Sequence, residues 1–428
     1  MNSRTKILAA VVAVALVAIA AVALCMGNDG DEKKTIPDTA GTFGTVYGNA
    51  DGNCVIDDID IDIIEDIISG KRSLSDYPFA DADNDGSVDQ TDLQTVKDII
   101  AKKSMKVKVL NTEGNVIDVQ YPVKKFIVLA GSNLAPLMNI LDATDRISAA
   151  AYSKLDSIRD RPVCEGIENG SIVKLTVNGT AADMDAISKL KDTHVMLTEN
   201  GSHYDLDSDK NIKTLNAWNI DVLRMDCRDP GDDTRTMAVF GILLDKGAEV
   251  QSYIDFADGV YEDIKKIEGD SFGTARALIC GKASNGLSGK SSGYTAMVEK
   301  MAGGHNVADW EESSKKFENH DPALLADKYD ADVGFFGTGT YYDDDGFSAK
   351  AISGYEERYS HLDAWKNGDV YIFSTSMPVL CRVAYFAEAM YPDLFEKGWA
   401  NGIHQEFVNR YFDAGFTVEE GMFFKKIN

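Results

Sequence analysis

Tyr121-Pro122-Val123-Lys124-Lys125-Phe126-Ile127-Val128-Leu129-Ala130-Gly131-Ser132-Asn133 decides the fold. Its run Phe126 to Ala130 is apolar without alternation, which reads as a strand buried on both faces. The Gly-Ser-Asn turn behind it opens a helix over Leu134 to Leu141. Upstream, Lys106 to Leu110 and Val116 to Tyr121 alternate about Thr112-Glu113-Gly114-Asn115, a hairpin signal. Downstream, the runs Ile147 to Ala151, Val195 to Thr198, Val222 to Met225, Ala277 to Cys280, Val333 to Phe336 and Val370 to Phe373 each close in a polar turn. Helix-length segments separate them, so the chain from Ser104 onward reads as parallel α/β sheets. Ala248 to Ile267 carries apolar residues at 250, 254, 257, 260, 261, 264 and 267 and no Pro, predicting one straight helix between the two halves. A faint repeat accompanies this. Ala186 to Leu190, Val195 to Thr198 and Glu199-Asn200-Gly201 correspond to Ala323-Leu324-Leu325, Val333 to Phe336 and Gly337-Thr338-Gly339.

The whole chain has 428 residues, 44% of them hydrophobic and 26% charged, enough for two or more domains with real cores. A formal charge of −26 repels nucleic-acid phosphates, which excludes DNA and RNA as partners. The six cysteines (25, 54, 164, 227, 280 and 381) form no CxxC pair, so neither a zinc ribbon nor a disulfide scaffold is indicated. No HExxH, GxSxG or GxxxxGK[ST] motif occurs, and Ser291-Ser292-Gly293 has no nucleophile-elbow context, so no enzyme reading arises.

Ile7 to Met26 is a 20-residue run without a charge. At about 1.5 Å per residue it matches the ~30 Å of a bilayer core. Arg4 and Lys6 precede it and Asp29, Asp31 and Glu32 follow, placing the N-terminus in the cytoplasm and the rest outside. Its length favours a retained anchor, residues 1–26, over a cleaved signal peptide. Val22-Ala23-Leu24-Cys25 is close to a lipidation signal, but Leu24 stands where a small residue belongs. A Gly/Asp/Thr-rich linker, residues 27–46, follows.

Residues 47–103 hold 14 acidic and 5 basic side chains. In Asp81-Ala82-Asp83-Asn84-Asp85-Gly86-Ser87-Val88-Asp89-Gln90-Thr91-Asp92, carboxylates fall at loop positions 1, 3, 5, 9 and 12, with Gly at 6 and the Ser87 carbonyl at 7. This spacing wraps hard oxygen donors around one Ca2+ ion, as in an EF-hand loop. Thirty-two residues upstream the pattern recurs, with Asn49, Asp51, Asn53, the Val55 carbonyl, Asp57 and Asp60 as donors and Cys54 in place of the Gly. A non-Gly residue forced to positive φ costs about 1–2 kcal/mol, so the first loop is expected to bind more weakly. Each loop feeds one apolar helix, through Ile61, Ile64, Ile67 and Ile68 or through Leu93, Val96, Ile99 and Ile100. Two such loops, each ending in Asp, resemble a type I dockerin across Tyr47 to Lys102. That resemblance implies a cohesin-like protein partner, met through Asp58-Ile59 and Gln90-Thr91, which differ between the repeats.

Ser104 to Asn428 resembles the class III substrate-binding proteins of ABC importers for iron chelates and cobalamin. The matching pieces are the hairpin with Gly114 and Val116, Tyr121 to Leu129, Asp145-Arg146-Ile147, Met301-Ala302-Gly303-Gly304-His305-Asn306-Val307-Ala308 and Trp365-Lys366-Asn367-Gly368-Asp369-Val370-Tyr371. The resemblance implies two Rossmann-like lobes, about 104–235 and 269–428, joined by a bridging helix over about 236–268. It also implies an iron chelate (siderophore or haem) or a corrinoid as the carried small molecule and an ABC permease as partner. The Glu that such proteins often offer the permease is missing from Leu134-Ala135-Pro136-Leu137. Ligands of open α/β sheets bind beyond the carboxyl ends of the strands. That rule selects Ser132, Asn133, Tyr152, His203 and Tyr204 in the first lobe, and Tyr294, Tyr341, Tyr342 and the segment Ser374 to Arg382 in the second. Aromatic rings suit a macrocycle, and Arg382 suits an anionic group. Arg382 paired with Glu388 on a helix is the plainer alternative. A cell-surface scaffold without transport is the competing function.

Overall fold

The runs read as strands between Lys106 and Phe373 are strands. The computed structural model describes residues 45–427 apart from 132, 200–203, 228–231, 266–272, 282–286, 291, 309–330, 361–364 and 367–368. Its strands are β1 (Thr45–Val46), β2 (Met105–Leu110), β3 (Val116–Tyr121), β4 (Phe126–Ala130), β5 (Ile147–Tyr152), β6 (Val173–Lys174), β7 (Val195–Glu199) and β8 (Asp221–Met225), then β9 (Arg276–Cys280), β10 (His305–Asn306), β11 (Val333–Thr338), β12 (Val370–Ser374) and β13 (Phe424–Lys426). Two units divide them. The first takes residues 45–153, 166–227 and 232–254, and the second takes 154–165 and 255–427.

In the first unit a parallel sheet runs in the order β6-β5-β4-β7-β8. All five residues of β4 are buried, as an unbroken apolar run at the centre of a sheet covered on both faces requires. One face packs Ile127, Leu129, Ala149, Ala151 and Met196 against Ile187, Leu206 and Leu215. The chain leaves β4 toward β5 on one side and returns to β7 on the other, so the strand order reverses between β4 and β7. In the second unit the order is β10-β9-β11-β12-β13, parallel except for β13, which pairs antiparallel with β12. Here the order reverses between β9 and β11. Phe336, Tyr355 and Tyr359 stack in its core beside Leu278 and Ile372.

The single bridging helix expected over about 236–268 is corrected to two. Asp232–Leu244 ends at Asp245, whose φ of +56° is left-handed, while the Lys246 amide bonds the Gly241 carbonyl at 2.7 Å. A second helix, Gly247–Ile264, then begins. Contacts assign its residues to the first unit as far as Ile254 and to the second from Asp255.

Residues 47–103, expected as a separate domain, belong to the first unit. β1 pairs with β2 in a three-stranded antiparallel sheet, β1-β2-β3. The Tyr121 hydroxyl donates to the Ile99 carbonyl at 3.1 Å, and Lys102 forms an ion pair with Asp245. Inside this segment the helices Asp58–Ile68 and Gln90–Ile100 enclose Ile63, Ile64, Leu93 and Val96 with Ala80 and Ala82. The expected anchor, residues 1–26, and nearly all of the linker lie outside the described residues. Among the described residues no helix is long and apolar enough to cross a membrane.

Candidate functional site

The second unit gathers part of the expected ligand set where its strand order reverses. Gly281 follows β9 directly, and the Tyr294 ring lies so close that a Cβ on Gly281 would overlap it. Ser292 caps the short helix Gly293–Ala296 by accepting the Tyr294 amide, which fixes the ring's starting point. Tyr294 meets Phe373 edge-on at 5.5 Å, and the Arg382 guanidinium stands 5.6 Å from the Tyr294 ring centroid. Arg382 is buried at 1% exposure, on the helix Val379–Met390. The plainer reading, an Arg382–Glu388 pair, is corrected: the Glu388 carboxylate accepts the amides of Gly398 and Ala400, both at 2.7 Å. Behind β12, the Ser374 hydroxyl bonds the Thr340 carbonyl at 2.5 Å, whereas the buried Ser376 hydroxyl has no hydrogen-bond partner among the described residues.

Tyr341 and Tyr342 part company. Tyr342, expected at the ligand, is corrected to a core residue. Its ring packs on Phe412 and Phe423 at 5.1 and 4.5 Å, its hydroxyl bonds His404 Nε2 at 2.7 Å, and its amide donates to Asp156. An aromatic that fills a cavity and satisfies its hydroxyl there has no face left for a ligand. Tyr341 is half-buried, with Lys154 Nζ 3.6 Å from its centroid; Lys154 also reaches Asp343 and Asp344 at 3.6 and 3.4 Å. Sequence reading missed Lys154, Asp156 and the buried Arg159–Asp160 pair (2.6 Å). They lie in residues 154–165, which join the second unit although their chain neighbours belong to the first. No local periodicity signals that exchange.

In the first unit the reversal point lies between Gly131, after β4, and Glu199, the last residue of β7. Glu199 is buried and accepts Asn133 Nδ2 at 2.9 Å and the Leu134 amide at 3.4 Å. A Cβ on Gly131 would overlap the Glu199 carboxylate and come within 3.1 Å of the Tyr204 hydroxyl. Asn133 and Tyr204 thus lie about one carboxylate, Glu199, that the sequence offered only as the first residue of a turn. Tyr152 ends β5, the neighbouring strand. Ser132 and His203 lie outside the described residues.

The two calcium-type loops share a frame. Asp60 accepts the Asp51 and Asp57 amides at 3.1 and 2.8 Å, and Asp92 accepts those of Asp83 and Asp89 at 3.2 and 2.8 Å. Asp57 and Asp89 each close a capping box with these residues. In the second loop Asp81, Asp83 and Asp85 bring carboxylate oxygens within 4.8 Å of one another. Burial, and then neighbouring carboxylates, hold Asp81 and Asp83 above the usual carboxylate range. The Asp85 amide donates to Asp81 and Asp83 at 3.0 and 3.2 Å, turning the loop so that three carboxylates converge, an arrangement that fits a hard divalent cation. The first loop differs. Asn53 donates its side-chain amide to Asp51 at 2.7 Å, and Asn49 donates to the Asn53 carbonyl at 2.8 Å. Burial, followed by the Asp51 charge, pushes Asp60 up to about 7. Asn49 Oδ1, at loop position 1, is buried and accepts no hydrogen bond among the described residues, which fits a metal-facing oxygen.

The expected strain at Cys54 is corrected. Gly86 has φ +99°, but Cys54 is not in the left-handed region; Gly52 (φ +72°) and Asn84 (φ +57°) are, at loop position 4 of each repeat. The Cys54 thiol instead contacts the Gly247 carbonyl at 3.5 Å and Gln251 Oε1 at 3.4 Å.

No protein-family model matches the sequence, and no curated protein matches it. Solved structures do. The TroA-like periplasmic binding protein FepB from Veillonella parvula has a TM-score of 0.56 and 16% identity, over 75% of this chain and 99% of its own. Helicobacter pylori CeuE, solved with Ni(II) bound, has 0.52 and 15%, over 72% and 97%. Haemophilus influenzae MolA, a molybdate periplasmic binding protein, has 0.51 and 12%, over 71% and 97%. The likeness is one of fold: the chain has the α/β fold of the TroA-like periplasmic binding proteins.

Proposed function

We propose that the chain is an extracytoplasmic substrate-binding protein that captures a metal-containing small molecule, an iron chelate (siderophore or haem) or a corrinoid, and passes it to the permease of an ABC importer. The observation that carries the reading is the buried Arg382 set over Tyr294 beside the reversal point of the second sheet, with the Ser376 hydroxyl buried in the same segment. A guanidinium takes a carboxylate through two parallel hydrogen bonds, and a flat aromatic beside it suits a chelate bearing carboxylates. Around Gly131, Asn133, Glu199 and Tyr204 supply hydrogen-bonding groups at the equivalent end of the first sheet. No catalytic step enters the reading. Native mass spectrometry of the full chain against ferric siderophores, haem and corrinoids tests it: one class should bind one-to-one, and Arg382→Gln should weaken that class roughly 10- to 100-fold. Failure of every class, or equal binding by the variant, overturns it.

The reading extends to residues 1–103. Ile7 to Met26 holds the chain in the membrane, and the two loops bind Ca2+ in a dockerin-like module. Its Gln90 and Thr91 are exposed, as a docking face for a cohesin-like protein requires. That exposure is what favours the scaffold function as a second reading. Calcium-dependent binding of a cohesin domain, with no chelate bound at any concentration tested, would establish the scaffold in place of transport.

A further inference from the structure

The second loop holds three converging carboxylates, but the first loop is the one built against the rest of its unit. Val55 lies against Gly247 so tightly that a Cβ there would overlap the Val55 side chain and come 3.0 Å from the Cys54 carbonyl oxygen. The Cys54 thiol reaches the Gly247 carbonyl and Gln251, one turn further along the same helix. Gly247 is the first residue of the helix Gly247–Ile264. Two residues before it, Asp245 pairs with Lys102, just beyond the end of the module's second helix. The start of this helix is therefore gripped by both repeats.

We propose that a cation in the first loop is sensed by the helix Gly247–Ile264 through the Cys54–Val55 step. The proposal rests on the calcium reading of that loop. In such loops the residue at position 7 binds the ion with its backbone carbonyl, and here that residue is Val55. An ion drawing Asn49 Oδ1 and the Val55 carbonyl to one point fixes the backbone from Asn53 to Val55. The side chains of Cys54 and Val55 on that backbone touch Gly247 and Gln251. Position 6, which needs Gly in a free-standing loop, holds a thiol because its task here is contact with the helix. Gly is required instead across the contact, at 247, where there is no room for a side chain.

The experiment uses the full chain with calcium chloride or a chelator. Alkylation of Cys54 by iodoacetamide is followed by mass spectrometry, together with amide exchange over residues 248–254. Calcium should slow Cys54 alkylation at least tenfold and slow exchange over 248–254, while Cys280 and Cys381, buried in the second unit, react at unchanged rates. Asn49→Ala should abolish the effect, and Asp85→Ala, which disables the second loop, should leave it. If calorimetry on Asp85→Ala finds no calcium uptake, the calcium reading of the first loop falls and the coupling with it. If uptake is measured and neither Cys54 nor residues 248–254 respond, the coupling alone is wrong.

Discussion

His404 is fully buried between two tyrosines, with Nε2 on the Tyr342 hydroxyl at 2.7 Å and Nδ1 3.5 Å from the Tyr385 hydroxyl. Burial lowers its pKa to about 3. The folded protein therefore keeps the imidazole neutral at pH values where an unfolded chain, with an ordinary pKa near 6.5, takes up a proton. Stability from this site is complete above pH ~6.5 and is lost as pH falls toward 3, at about 1.4 kcal/mol per pH unit. Urea unfolding at pH 6.5 and pH 5 should differ by about 2 kcal/mol from this residue. His404→Phe should remove that slope while lowering stability at pH 7 by about 1–3 kcal/mol, because the buried Tyr342 hydroxyl loses its hydrogen-bond partner. A parental slope that survives in the variant would assign the acid sensitivity to other groups. Tyr342→Phe tests the core role of the neighbouring ring. It should cost about 1 kcal/mol of stability and leave chelate affinity at the parental value, whereas a ligand-contacting tyrosine would reverse that pattern.

The second acidic loop, Asp81 to Asp92, shows how one element divides its roles. Nothing lies within 4 Å of a Cβ built on Gly86, so Gly86→Ala is penalised by its φ of +99° alone, about 1–2 kcal/mol. Calorimetry should find calcium binding weakened about tenfold in that variant and lost from this loop in Asp85→Ala. Equal affinities in the parent and both variants would remove the loop from metal binding. The two loops and both helices were legible in the sequence because each acidic position and each helix cap is set locally. So were the buried runs, since a strand covered on both faces needs no partner information to be apolar. β6 and β10 have two residues each, too few for any period, and β13 is only partly buried, so its sequence has no apolar signature. The role of Cys54 is illegible for a different reason: a loop template calls for Gly, but the contact that accounts for the thiol lies 193 residues away. Tyr342 looked like a strand-end ligand contact because its position was right; the rings that enclose it, Phe412, Phe416 and Phe423, come from the far end of the sequence.

At the scale of the molecule, the calcium-type module and the first sheet form one unit. β1 precedes the module and pairs with β2 behind it, and Tyr121 and Asp245 reach back to Ile99 and Lys102. A chain lacking residues 45–103 loses an edge strand and exposes β2 together with the face that covers Ile99. Its first unit should melt several degrees lower and with reduced cooperativity in calorimetry. An unchanged melting profile would mean that the module folds as an independent attachment. The same scale brings out a consequence of residues 154–165. This stretch emerges from the ribosome in the middle of the first unit, but the partners of Asp156 and Arg161 are Tyr342 and Asp413, 186 and 252 residues later. At roughly 5–20 residues per second, synthesis leaves Arg161 without its carboxylate for about 13–50 s. Throughout that interval a stretch that carries Asp156, Arg159 and Asp160 stands exposed on the growing chain, open to chaperones and proteases before its final burial.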